Sequence, residues 1–126
     1  TEFERTEEEC LSDFDIVKNS IDQNGDKSLW KNLILISHNP PICGKLDSFD
    51  GVHHAGSQQF TDFIQENQPL AVICGHIHEG TGSDKIGDTL VINPGSLGEK
   101  GTYFWLEVEK DSSGNWKVSK VEECSL

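Results

Sequence analysis

Two short apolar runs limit what this chain can fold into. LILIS, residues 33–37, and LAVIC, residues 70–74, are uninterrupted by charge. Such runs are the pattern of strands buried on both faces, and strands of this kind build parallel sheets covered by helices. Between them, Ser57 can cap a helix whose Phe60, Phe63 and Ile64 make one apolar face, and Asn67 with Pro69 closes it. Ahead of them, Thr6 and Glu9 have capping-box spacing. Cys10, Phe14, Val17 and Ile21 recur at helical period until Asn24-Gly25, which predicts a helix from about 7 to 21. After the second run, TLVIN at 89–93 reads as a third strand, and TYFWLEVE at 102–109 with WKVSKVE at 116–122 flank the turn DSSGN as a β-hairpin. The fold class expected is α/β, with a sheet that turns antiparallel late and a C-terminal hairpin.

Both apolar runs lead into histidine. The first ends in Ser37-His38-Asn39 and the second in Gly75-His76-Ile77-His78. Ligands of open α/β sheets gather outside the carboxyl ends of the strands, so three imidazoles are candidates for one crevice. If the backbone stays extended through Gly75, His76 and His78 point to the same side. Neutral imidazole suits Zn, Fe, Mn or Ni, and three protein ligands with an open fourth position suffice for a catalytic zinc. A lone His-x-His is a weak signal, and three scattered histidines are more often surface or core residues, so spacing alone does not establish a metal.

Composition removes other classes. Ten Lys+Arg against 22 Asp+Glu give a net charge of −12, which repels a polyphosphate backbone and argues against bulk nucleic-acid binding. No apolar run approaches the roughly 18 residues of a membrane helix, and the acidic N-terminus resembles no secretory signal, so no membrane partner is expected. Cys10, Cys43, Cys74 and Cys124 are widely spaced without a Cys-x-x-Cys pair, which fits a reducing, cytoplasmic compartment.

SHNPP, HAGS, GHIHEG and VINPGSLG, in this order and separated by these strands and this helix, resemble the C-terminal half of calcineurin-like metallophosphoesterases, nearest to the small Icc-like phosphoesterases. Four ordered motifs are far more specific than any one of them. The resemblance covers about residues 30 to 109 and implies a fold, a cofactor and an activity. The fold would be the C-terminal half of a β-sandwich flanked by helices. Two divalent metal ions (Mn, Fe, Zn or Ni) would lie roughly 3.5 to 4 Å apart, and a metal-activated hydroxide would hydrolyse a small phosphate-ester substrate. By motif, His38 and His76 would bind the second metal and His78 the first.

The family's other ligand motifs, Asp-x-His, Gly-Asp-x-x-Asp and Gly-Asn-His-Asp/Glu, do not occur here. With no Met, Thr1 at the start and a helix as first element, residues 1–126 are expected to be the C-terminal part of one domain. Its missing N-terminal half would then be a partner. Alone, such a half would expose apolar surface and a sheet edge, and would self-associate. Two alternatives stand beside this one: a mononuclear site of His38, His76 and His78, and a truncated non-catalytic domain that serves protein interaction.

Two further stretches carry weaker expectations. HHAGS, 53–57, would bring His54 and the free N–H groups of a helix start near a substrate phosphate, or is an ordinary cap with exposed histidines. NPGS, 93–96, reads as a turn.

Overall fold

The computed structural model describes residues 6–126. Helix α1, Glu7–Asn24, starts at a closed capping box: Glu9 N–H donates to Thr6 Oγ1 at 3.2 Å, and Thr6 N–H donates to Glu9 Oε2 at 2.9 Å. It ends at Gly25, whose φ of 81° lets its N–H reach the Ile21 carbonyl. A short 3-10 turn, Lys27–Asn32, then delivers strand β1, Ile34–Ile36. Ser57 caps helix α2, Gln58–Asn67, by accepting from Phe60 N–H. Strand β2 is Ala71–Ile73, β3 is Gly82–Ile86 and β4 is Thr89–Asn93. One helical turn, α3, Leu97–Lys100, precedes the hairpin of β5, Thr102–Lys110, and β6, Trp116–Ser125.

Strands β1 to β4 form a sheet of order β1-β2-β4-β3, with β1, β2 and β4 parallel and β3 antiparallel to β4. Side-chain alternation divides its core into two layers. On one face Leu35, Val72 and Val91 join Trp30, Phe60, Phe63 and Ile64, and Phe14 of α1 stacks on Phe60 with ring centroids 5.3 Å apart. On the other face Ala71, Leu90 and Ile92 are covered by Phe104, Leu106 and Val118 of the hairpin, which is a separate two-stranded sheet. The architecture is therefore mixed α/β with an antiparallel C-terminal hairpin.

Two details differ from the sequence reading. Strand β1 is not covered on both faces: Leu35 is buried, but Ile34 is 39% and Ile36 74% exposed. The cause is position, for β1 is an edge strand and the hairpin reaches only β2 and β4. Strand β3 was not anticipated, because GSDKI buries only Ile86 and shows no apolar alternation; polar residues suit an edge that must not pair further.

Candidate metal centre

Parallel pairing of Ile36 with Ile73 brings the carboxyl ends of β1 and β2 level. Ser37 N–H donates to the Ile73 carbonyl at 2.9 Å and Gly75 N–H to the His38 carbonyl at 3.0 Å, so the two segments stay joined as they leave the sheet. His38 and His76 emerge there face to face. His38 Nε2 stands 3.1 Å from His76 Nδ1, and the rings meet edge to face with centroids 4.9 Å apart.

His76 gets there through a strained backbone. Its φ is 66°, and Ile77 N–H donates to the Gly75 carbonyl at 2.7 Å across it, which makes a γ-turn. A non-glycine residue in this region is uncommon and costs about 1–3 kcal/mol, so its surroundings must hold it there. The turn also corrects an expectation. The chain is not extended through Gly75, so His76 and His78 do not alternate as in a strand. His76 turns toward His38, while His78 opens a 3-10 turn, His78–Gly80, and gives its Nδ1 to Glu99 Oε2 at 2.8 Å.

Do these residues fit a cation? Two nitrogens each about 2.0–2.1 Å from one zinc ion stand roughly 2.9–3.4 Å apart for bond angles between square and tetrahedral. The His38–His76 contact is a ring-to-ring hydrogen bond whose length also lies inside that interval, so the spacing of the pair is compatible with one shared ion. His78 has the arrangement of a ligand whose other ring nitrogen is held by a carboxylate. Among the described residues, however, no group of three or more His, Cys, Asp and Glu side chains converges on one point. The donor set assembled here is therefore a pair of imidazoles, with His78 held apart by Glu99. His38, His76 and His78 accordingly do not meet as one three-histidine group among the described residues.

Around the histidine pair lies an open cleft of about 620 Å³. Its walls are Ser37, His38, Asn39 and His76 from the strand ends, Leu11 and Phe14 of α1, and Ser57 and Phe60 of α2; neither His54 nor His78 lines it. His54 lies beside it, with Nδ1 2.9 Å from Asp47 Oδ1 and no partner at Nε2 among the described residues. Asp47 is completely buried and also accepts from Cys43 N–H at 3.1 Å and Gly56 N–H at 3.0 Å. Burial pushes the Asp47 carboxyl up, but these N–H donors and the His54 ring outweigh it and hold the group below the usual carboxylate range.

The start of α2 is not open to an anion. Ser57 N–H goes to the Pro40 carbonyl, Phe60 N–H to Ser57 Oγ, and Gln59 N–H to Glu7 Oε1 at 3.2 Å, with Ser57 Oγ donating to the same Glu7 oxygen. The chain's own carboxylate takes the place expected for a phosphate. The buried thiols are inert: loss of hydration raises Cys43 to about 11 and Cys74 to about 12, so neither offers a thiolate.

Sequence reading missed Asp47, Glu99 and Lys100, whose Nζ donates to the His78 carbonyl at 2.9 Å. One signal was present. Ser96-x-x-Glu99 has capping-box spacing and marks α3.

The sequence profile of the family described as "Metallophosphoesterase, calcineurin superfamily" matches residues 27–114. The chain belongs to this family. Among proteins similar to this metallophosphoesterase chain is the uncharacterized protein MJ1162 of Methanocaldococcus jannaschii, 34% identical over 113 residues, or 86% of this chain and 45% of that protein. A 95-residue match at 26% identity to protein-glutamine gamma-glutamyltransferase K of Rattus norvegicus covers 75% of this chain but 12% of that protein. A solved crystal structure at 29% identity superposes with a TM-score of 0.54 over 74% of this chain and 32% of its own. The metallophosphoesterase chain thus spans less than half the length of the curated relatives it matches. Among the described residues, no helix is long and apolar enough to cross a membrane.

Proposed function

We propose that this chain is the C-terminal, histidine-bearing part of a binuclear phosphoesterase domain, in which His38 and His76 share one divalent cation and His78 holds the other. The observation that carries the reading is the 3.1 Å approach of His38 Nε2 to His76 Nδ1, made by a strained turn at the C-terminal edge of a parallel sheet. Divalent cations bound there would neutralise phosphoryl oxygens and acidify water.

The chain's own part is to position groups. His38 and His76 present neutral ring nitrogens from strand ends fixed by the β1–β2 ladder, and His78 presents Nε2 while Glu99 holds Nδ1. His54, oriented by buried Asp47, offers its free Nε2 to a phosphate oxygen. The reaction forms a P–O bond to the water oxygen and breaks the ester P–O bond. One water proton leaves on the departing alcohol and the other stays on the phosphate.

Three neutral imidazoles cannot offset two dications, so carboxylates from elsewhere in the longer domain complete this site. That requirement agrees with the chain's coverage of 45% of MJ1162 and with the bare face of β1. The test is metal content and aryl-phosphate hydrolysis in the full-length protein. His38→Ala and His76→Ala should each lose bound metal and most turnover. His53→Ala should lose little, since His53 is exposed and paired with Asp50. Full turnover in the His38/His76 double variant removes the reading.

A further inference from the structure

NPGS, 93–96, reads as a turn in the sequence, yet Asn93, Glu99 and Lys100 in and just after it all bond to the piece of chain that carries His78. Asn93, wholly buried at the end of β4, donates from Nδ2 to the Ile77 carbonyl at 2.7 Å and to the Leu46 carbonyl at 2.9 Å. A third bond of the same side chain turns the backbone: Asn93 Oδ1 accepts from Gly95 N–H at 3.1 Å. Gly95 has φ 75°, and a Cβ there would lie 2.2 Å from Thr81 Oγ1, so only glycine lets this loop press against the turn that begins at His78. Thr81 Oγ1 itself donates to the His78 carbonyl at 2.9 Å.

Ser96 then caps α3 by accepting from Glu99 N–H at 3.2 Å. In a capping box the glutamate would reach back to the cap's own N–H, as Glu9 does to Thr6 at the start of α1. Glu99 does not. Its carboxylate goes to His78 Nδ1 at 2.8 Å, and the next residue, Lys100, donates to the His78 carbonyl at 2.9 Å.

We propose that Glu99 and Lys100 form a clamp that positions His78, the carboxylate selecting the tautomer with Nδ1 protonated and Nε2 bare, the ammonium fixing the backbone from which the ring hangs. The inference rests on the phosphoesterase reading, in which Nε2 of His78 receives a cation. Free imidazole side chains favour the opposite tautomer, with the proton on Nε2, which cannot bind metal through that atom. A carboxylate at Nδ1 reverses the preference and makes the other nitrogen a better donor. The clamp carries one charge of each sign, so it adds no net charge beside the site. Glu99 is also exposed, so replacing it does not disturb the core.

The test reads the tautomer and the affinity separately in the full-length protein. Ring ¹⁵N shifts of His78, taken on protein stripped of metal at alkaline pH, should show Nδ1–H in wild type. Glu99→Ala should move the ring toward Nε2–H and weaken Mn²⁺ or Zn²⁺ binding, measured by competition with a chelating dye, by about 10- to 100-fold. Glu99→Gln keeps an oxygen acceptor and should retain the tautomer with a smaller loss of affinity, a rescue that a merely structural contact would not produce. Lys100→Met should leave the tautomer unchanged and weaken affinity less than Glu99→Ala does. Nε2–H in wild type, or Glu99→Ala with unchanged tautomer and affinity, overturns the clamp. If wild type takes up no cation, the phosphoesterase reading falls, and the tautomer measurement still decides whether Glu99 sets the ring.

Discussion

Glu7, in the first turn of α1, accepts a hydrogen bond from the backbone N–H of Gln59, in the first turn of α2, at 3.2 Å. One helix start thereby stoppers another, with a carboxylate at the positive end of the α2 dipole. Glu7→Ala should lower stability by roughly 0.3–1 kcal/mol in urea unfolding at low salt, and high salt should shrink the difference. Equal stability of the two proteins at low salt would mean that the contact contributes nothing.

His76 trades stability for position. Its φ of 66° is strained for any residue with a Cβ, and glycine adopts it freely. We expect His76→Gly to raise the unfolding free energy by up to about 1 kcal/mol relative to His76→Ala, while both lose cation affinity equally. A glycine variant less stable than the alanine variant would show that the turn holds no strain.

Asp47 makes the 43–57 loop acid-labile. Its folded carboxyl sits below the ordinary value, so the unfolded chain takes up the proton first as pH falls. The stability it contributes is complete above about pH 3.9 and is lost as pH drops through the lower folded value. Asp47→Asn keeps one acceptor but turns an amide donor toward a buried N–H, which should cost roughly 1–3 kcal/mol at neutral pH. The variant should also lose the part of the acid dependence that belongs to this group. Parallel acid unfolding curves for both proteins would refute the assignment.

The bare face of β1 should govern association. Ile36 is 74% exposed on an edge strand, so Ile36→Lys disturbs no packing and places a charge on that edge. Light scattering on the 126-residue chain should show self-association in wild type that Ile36→Lys suppresses. A wild-type chain that stays monomeric at high concentration would argue against a half-domain.

The elements with strong punctuation were readable in the sequence. Thr6 and Glu9 fixed one end of α1 and Gly25 the other; Ser57 fixed α2; β4 fell on residues 89–93 as expected. What escaped notice depends on contacts between distant segments. No local pattern reports that Ile34 and Ile36 face outward, since that follows from how far the hairpin reaches. The strand ends and their histidines could be placed, but His38 meets His76 only because the backbone turns at His76. The orientation of His78 could not, because it is set by a left-handed residue at His76 and by Glu99, twenty-one positions away.

The hairpin also has a temporal meaning. Strands β5 and β6 pair along their whole length around the tight Asp111–Asn115 turn, a contact that can close in about 1–10 μs. Strands β1, β2 and β4 must be gathered across long loops, which is slower. Pulse-labelled hydrogen exchange should therefore find β5–β6 protected before β2. During synthesis the order matters more, because the cover of Ala71, Leu90 and Ile92 includes Val118. Until that residue has emerged from the ribosome, the second face of the sheet stays exposed.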